Sequence, residues 1–181
     1  MKRKSLSDSD CPIAKTLDCV GEWWSLLIIR DAIHGLKRFD EFQKSLDIAP
    51  NMLTRRLNDL VEGGLLEKQP YSERPPRYEY HLTEKGRALR PVLIALLSWG
   101  NEFLSPQSPA IQITDKASGE PIRLMMVDQK TGKALSAEHH QFTAGPSASE
   151  AMRNRIDMMQ NNRILNDSTN RNTDQKEADN A

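Results

Sequence analysis

Residues 39–62 have the sequence FDEFQKSLDIAPNMLTRRLNDLVE, in which apolar residues recur in two separate helical patterns. In its first half, apolar side chains recur at helical spacing, at Phe39, Phe42 and Leu46. In its second half, they recur at Leu53, Leu57, Leu60 and Val61. We therefore expect a short helix from Phe39 to Leu46, a tight connection ending at Pro50, and a second helix from Asn51 to Glu62 that Gly63-Gly64 terminates. Two helices so joined predict a helix-turn-helix.

Two more helices are predicted before this motif. The first begins at Cys11, has Pro12 in its first turn and ends at Gly21. The second runs from about Glu22 to Ile33 and is apolar on nearly every side, which is typical of a central core helix. We interpret its two tryptophans, Trp23 and Trp24, as core side chains.

A β-hairpin and a long helix are predicted after the motif. Leu65–Gln69 and Arg77–Leu82 have strand-like patterns, and three prolines between Pro70 and Pro76 favour a loop too stiff for a two-residue turn. Thr83 then caps a helix to about Leu104 that Pro91 should bend. The fold class is mainly α with a small β-hairpin (α+β), a winged helix-turn-helix with the hairpin as the wing.

We divide the chain into four parts: a flexible arm (1–10), the winged-helix and dimerisation domain (11–104), an extension (105–165) and a disordered tail (166–181). In the extension we expect turns at Ser118-Gly119 and Thr131-Gly132, and a helix after a capping box at Ser147–Glu150. Short strands are expected at Ile111–Thr114, Pro121–Asp128 and Leu135–Phe142.

Composition limits the function. The 25 basic and 25 acidic side chains of the 181 residues balance, so a nucleic-acid ligand would have to be held by a local cluster of cations. The two cysteines are too few for a disulfide framework, and no apolar run suits a signal peptide or a membrane span, so we expect a cytoplasmic protein. We expect no catalysis, metal or cofactor, because no nucleophile–base pair or Gly-rich phosphate loop is evident and the four histidines are scattered, at positions 34, 81, 139 and 140.

Polar and basic residues beside the buried stripe form a candidate DNA-reading surface. We place Asn51, Thr54, Arg55, Arg56 and Asn58 on or beside the outward face of the second helix, where Asn can pair with adenine and Arg with guanine. For contacts with the DNA backbone we assign Lys37, Arg38 and Lys44 near the first helix, while Arg74 and Arg77 in the wing suit entry into the minor groove or contact with flanking phosphates. An ordinary solvated face with ion pairs is the alternative for Arg55 and Arg56, and a winged-helix protein–protein module without DNA binding is the alternative function.

Several short motifs follow one another in order between Cys11 and Gly100: CPIA at 11–14, RFDEF at 38–42, NMLTRRL at 51–57, PPRYEY at 75–80 and LTEKG at 82–86. In this order and spacing they resemble the HxlR family of winged-helix transcriptional regulators. The resemblance implies a homodimer, packed through its first and long last helices, that binds a pseudo-palindromic operator with recognition helices roughly 34–36 Å apart. Glu22 departs from the family, where lysine is common, and Phe42 stands where leucine is usual.

The same resemblance implies that Cys11 senses oxidants or electrophiles, since relatives use the cysteine of their Cys-Pro opening in this way; a small-molecule signal is the other option. A helix N-terminus favours the reactive thiolate, while Asp8 and Asp10 oppose it. The alternative is that Cys11 is a small packed residue at the dimer seam and Cys19 a core filler. The two thiols should lie roughly 12 Å apart along one helix, too far for a disulfide within one subunit.

Overall fold

The computed structural model describes residues 5–162. Helices and strands follow in the order α1 (Pro12–Val20), α2 (Trp23–Ile33), α3 (Phe39–Leu46), α4 (Pro50–Glu62), β1 (Leu66–Glu73), β2 (Pro76–Leu82), α5 (Glu84–Arg87) and α6 (Arg90–Phe103). Residues 150–162 are also helical. The first four residues of the predicted arm and the predicted tail (166–181) lie outside the described residues. Within residues 5–162, no helix is long and apolar enough to cross a membrane.

The predicted helix-turn-helix is confirmed, with boundaries within one residue of the expectation. Asp47 ends α3 in the left-handed region (φ 48°), and Pro50 begins α4, where its missing N–H leaves no helical bond unmade. Between them Ile48 is buried and fixes the turn against the core. The stripe of α4 is fully buried at Leu53, Leu57 and Leu60.

The core lies where α2 packs against α3, α4 and the hairpin. Its fully buried side chains include Ile28 and Ile29 of α2, Phe42 of α3 and Leu66 of β1. Truncating a buried aromatic such as Phe42 typically costs 3–5 kcal/mol. The interpretation of both tryptophans as core is wrong for Trp23, which is 75% exposed, because it projects from the first residue of α2 while Trp24 packs against the core.

The hairpin has a shorter loop than expected. Strand pairing continues to Glu73 opposite Pro76, so the turn consists of Arg74 and Pro75 alone, and the prediction of a long stiff loop is wrong. Prolines fit here because both strands of a two-stranded sheet are edge strands, where a residue without an N–H need not interrupt a ladder. The irregularity in register between Pro70 and Ser72 absorbs one extra residue.

The predicted long C-terminal helix is two helices. The Thr83 hydroxyl accepts a hydrogen bond from Gly86 N, which confirms the cap, but α5 ends after four residues and α6 begins at Arg90. A proline ring clashes with the carbonyl four residues earlier, so Pro91 is accommodated in the first turn of a new helix instead of bending a continuous one.

In the extension both predicted turns are confirmed, while the predicted strands are wrong. Gly119 and Gly132 have positive φ angles of 76° and 67°, as turn glycines do. Between residues 111 and 142 the backbone forms two isolated β-bridges, Thr114–Pro121 and Val127–Ala134, because each turn closes on itself before a ladder can develop.

Near both ends of the described residues, a polar side chain makes hydrogen bonds at a helix. The hydroxyl of Ser149, and not that of Ser147 as the capping-box pattern predicts, accepts a hydrogen bond from Met152 N to cap the helix at 150–162. Near the N-terminus, Asp18 of α1 accepts hydrogen bonds from the Leu6 N–H and the Ser5 hydroxyl. The end of the predicted arm is therefore tied to α1.

Candidate nucleic-acid interface

Four of the five predicted base-reading residues share the outward face of α4. Asn51, Thr54, Arg55 and Asn58 are all exposed, because they alternate with the buried leucine stripe at helical spacing. The Thr54 hydroxyl donates to the Pro50 carbonyl at 2.8 Å, and the Asn51 Oδ1 accepts from Met52 N at 2.8 Å. Within residues 5–162, the Arg55 guanidinium has no hydrogen bond or ion pair, so its donors are available to a ligand.

The fifth residue, Arg56, does not lie on this face, and its assignment to base reading is corrected. Its side chain is 8% exposed and bonded to two carboxylates, Glu22 at 3.1 Å and Asp59 at 3.0 Å. It follows Leu53 by three residues and precedes Leu60 by four, which places it at the border of the buried stripe. Arg56 therefore holds α4 against the junction of α1 and α2.

Arg38 connects the wing to the start of α3. Its Nε donates to Glu79 Oε1 of β2 at 3.0 Å, and its guanidinium lies 4.6 Å from the centre of the Tyr71 ring on β1. The hydrogen bond with Glu79 raises the pKa of Arg38 and lowers the pKa of Glu79. Arg38, which the sequence predicts to contact phosphate, is therefore already bonded to both strands of the hairpin. These contacts orient the wing relative to α3.

Two backbone contacts reinforce this junction. The Tyr80 N–H donates to the Lys37 carbonyl at 2.7 Å, so the residues before α3 pair briefly with β2 as a third segment of the sheet. Glu41 accepts hydrogen bonds from the Lys37 and Arg38 amides at 2.8 and 2.9 Å, which hold the pKa of its carboxyl below the usual range. The helix-turn-helix and the wing thus form one connected surface.

The remaining predicted cations lie around this surface. Lys37 and Lys44 are exposed before and in the last turn of α3, and Arg77 is exposed on β2. Arg74 lies in the turn at the wing tip, roughly 25 Å along the eight-residue β1 from the protein body. One cation that the sequence pattern did not single out is Lys68, whose Nζ lies 3.9 Å from the centre of the Tyr78 ring.

Glu22, Tyr71 and Glu79 were also missed by the sequence reasoning. Each acts on a partner far away in the sequence, at a separation of 33 to 41 residues. An isolated sequence shows no spacing rule for such pairs. An unusual acidic residue at position 22, opposite an arginine-rich helix, was the single available signal.

The two cysteines are both free thiols. Cys11 is half-buried at the N-cap of α1, as its place before Pro12 predicts. Cys19 is exposed, so the interpretation as a core filler is wrong: of the last residues of α1, Val20 is the one that turns into the core.

A second surface, apolar instead of polar, lies on the outer helices. On α6 it comprises Val92, Leu96, Trp99 and Phe103, which are 43–61% exposed and follow one another at helical spacing. On α1 it comprises Ile13 and Leu17, and no residue of α6 is buried. Leu93 packs against the core, but the opposite apolar face of α6 is left exposed within its own chain, which is typical of a contact between chains.

These features define the class of protein: a winged helix-turn-helix of the DNA-binding type, with a polar and basic recognition helix and a two-stranded wing. The chain belongs to the HxlR-like helix-turn-helix family, which matches residues 19–108. The predicted family and fold class are thereby confirmed, and the protein is a DNA-binding transcriptional regulator.

Relatives and solved structures agree with this assignment. An uncharacterised HTH-type transcriptional regulator of Mycobacterium tuberculosis is 37% identical over 135 residues, 74% of this chain and 85% of the relative. The structure of a transcription factor, PA1374 from Pseudomonas aeruginosa, is 55% identical, covers 81% of this chain and all of its own, and has a TM-score of 0.61. The transcription factor PA1607 is 41% identical, covers 78% of this chain and all of its own, and has a TM-score of 0.69. An alignment of 135 residues necessarily extends past residue 108, so the likeness includes part of the extension.

Proposed function

We propose that the protein acts as a homodimer that binds a pseudo-palindromic operator, with α4 of each subunit in the major groove. One observation carries this proposal: the outward face of α4 presents Asn51, Thr54, Arg55 and Asn58 and no large apolar side chain. A winged-helix module devoted to protein–protein contact would expose apolar residues there. The polar face suits the edges of base pairs, which offer donors and acceptors in the major groove.

Base reading and phosphate binding fall to different residues. Arg55 has the free guanidinium that bidentate pairing with guanine needs, and Asn51 and Asn58 have the amide groups that suit adenine. Lys37, Lys44, Arg74 and Arg77 are exposed cations of the helix-turn-helix and the wing, and we assign them to phosphates. In the first turn of α4 Pro50 has no N–H and Met52 N already donates to Asn51 Oδ1, which leaves the Asn51 N–H to donate to a further phosphate.

The homodimer is supported by the apolar surface of α1 and α6. Association through these helices would bury their apolar residues and leave α4 and the wing free. A two-fold axis would then present two recognition helices about one DNA turn apart, roughly 34–36 Å.

The test is binding of the purified protein to the DNA upstream of its own gene, measured by fluorescence anisotropy at increasing salt. If the four cations of each subunit contact phosphates, a dimer makes about eight contacts and the slope of log K against log salt is about −7. A random duplex of the same length is the control. Failure to bind either duplex at low salt would refute the function.

We also propose that oxidation of Cys11 changes operator binding, and that the protein works in the reducing cytoplasm. Cys11 precedes α1, a helix of the proposed dimer surface, so a bulky or charged modification there would disturb the spacing of the recognition helices. Cys19 provides a matched control, since it lies in the last turn of α1 and is more exposed. Mild oxidant should alter binding by the wild type and Cys19→Ser but not by Cys11→Ser; an equal response of all three would refute the role of Cys11.

A further inference from the structure

The extension is attached to α6 beside a cavity of about 540 Å³. The Nδ2 of Asn101 on α6 donates to the Ile111 carbonyl at 2.8 Å, where the first turn of the extension begins. Across that turn, the Ile122 N–H donates to the Ile113 carbonyl at 2.9 Å. These bonds hold both sides of the turn beside the helix, where Ile113 and Ile122 line the cavity.

The cavity lies on a different side of α6 from the exposed apolar residues of that helix. Asn101, which lines the cavity, is two positions from both Trp99 and Phe103, which places it roughly 160° around the helix from each. Leu97, which also lines the cavity, has the same relation to Trp99. Covering the apolar residues in the proposed homodimer therefore does not cover this side of α6.

The cavity combines an apolar lining with two opposite charges. The apolar residues come from α6 and the extension and include three prolines, whose backbone is restricted: Leu97, Pro106, Pro109, Ile113, Pro121 and Ile122. Glu102 adds a carboxylate and Arg123 a guanidinium. Both side chains are exposed, and neither forms an ion pair with another of the residues 5–162. An apolar lining with a few polar groups is typical of a small-molecule site.

The two charges limit the class of molecule that the cavity can hold. Glu102 and Arg123 line the same cavity and are farther apart than the length of a salt bridge, so there is room for a ligand between them. A simple anion would be repelled by Glu102, and a simple cation by Arg123. A molecule with both a carboxylate and an ammonium group can pair with both side chains, and a guanidinium binds a carboxylate through two parallel hydrogen bonds.

We propose that this cavity binds a small zwitterion with an apolar side chain, of the class of the apolar α-amino acids. The carboxylate of the ligand contacts Arg123, its ammonium group contacts Glu102, and its side chain packs against Leu97 and Ile122. The ligand thereby connects the extension to α6, which carries apolar residues of the proposed homodimer on another side. The site is placed to receive a small-molecule signal that changes operator binding, and this last step rests on the proposed function.

Isothermal titration calorimetry of the full chain without DNA tests the site. L-phenylalanine and L-leucine are the ligands used, and two relatives of phenylalanine are matched controls: phenethylamine lacks the carboxylate, and 3-phenylpropanoate lacks the ammonium group. We expect phenylalanine or leucine to bind about tenfold or more tightly than either control, because each control leaves one charged side chain unpaired. Equal binding of amino acids and controls, or no binding of either amino acid up to about 10 mM, would overturn the inference.

Two variants that each remove one charge test the individual contacts. Arg123→Gln should weaken the binding of the amino acid about tenfold but not that of phenethylamine, which has no carboxylate to lose a partner. Glu102→Gln should weaken the amino acid similarly but not 3-phenylpropanoate. Arg155→Gln, at an exposed arginine of the helix at 150–162, is the control and should bind like the wild type. Variants that weaken all ligands equally, or none, would show that these charges do not contact the ligand and would overturn the inference.

Operator binding separates this site from the proposed function. Fluorescence anisotropy with and without saturating amino acid should show a change in operator affinity of about fivefold or more. An unchanged affinity refutes the regulatory step and leaves the binding site, which is measured without DNA. A protein that binds the amino acid but no DNA refutes the proposed function alone.

Discussion

Two adjacent arginines of α4 should have separable effects when replaced. Arg55 is exposed and without a partner among residues 5–162, while Arg56 is buried and bonded to Glu22 and Asp59. Methionine is the matched replacement at both positions, because it keeps much of the aliphatic volume and a similar helix propensity. We expect Arg56→Met to lower the free energy of unfolding and Arg55→Met to lower DNA affinity.

The expected losses in the free energy of unfolding follow from how exposed the charged side chains are. Removing one partner of a fully buried ion pair lowers the free energy of unfolding by about 3–5 kcal/mol, because the other charge remains buried without a partner or water. The side chains of Glu22 and Asp59 are 39% and 46% exposed, so water can solvate them once Arg56 is gone. We therefore expect a loss of about 1–3 kcal/mol from two charged hydrogen bonds after screening. Arg55→Met should change stability by less than about 0.5 kcal/mol.

DNA affinity should respond in the opposite order, with the larger loss in Arg55→Met. If Arg55 reads a base, Arg55→Met should weaken operator binding by about 1–3 kcal/mol, or roughly 5- to 150-fold, with relaxed choice of sequence. Arg56→Met should bind within about twofold of the wild type at a temperature where both are folded. Urea unfolding at fixed protein concentration and anisotropy on the same samples measure the two quantities. Equal losses of affinity without a loss of stability in Arg56→Met would refute the assignment.

Three further substitutions test the architecture around this surface. Glu79→Gln removes a negative charge from the DNA side but should weaken binding, because it releases Arg38 and the wing; tighter binding in a salt titration would show that Glu79 acts by charge alone. Glu41 accepts two amides that lower its pKa, so the stability it provides is present above the unfolded-state pKa and is lost as the pH falls through the folded-state pKa. Urea titrations from pH 7 to about pH 3 should show a flatter acid limb for Glu41→Gln, and identical curves would contradict the cap. Gly86→Ala places a Cβ 2.2 Å from the Leu65 carbonyl oxygen and should cost about 1–3 kcal/mol in thermal or urea unfolding, whereas a loss below about 0.5 kcal/mol would mean that the strand end yields easily.

The order of the elements from α1 to the wing, including the helix-turn-helix, follows from the amino-acid sequence. Local rules suffice for these features: apolar residues at helical spacing place α3 and α4, and Pro50 and Gly63 mark the ends of α4 to within one residue. The two turns of the extension also follow from short-range rules, because a glycine takes up a positive φ at little cost. The outward face of α4 followed from the same periodicity at four of the five positions.

The contacts of individual side chains at the edges of those patterns depend on the tertiary structure. Arg56 borders the leucine stripe of α4. Because the fold brings Glu22, 34 residues earlier, close to it, Arg56 forms internal ion pairs and does not face outward with the predicted base-reading residues. Arg38 was likewise engaged by Tyr71 and Glu79 across the wing. Spacing along one helix cannot reveal such partners, since their energy depends on which segments the fold brings together. The strands expected in the extension do not form for the same reason: a strand needs a second strand to pair with as well as a suitable sequence.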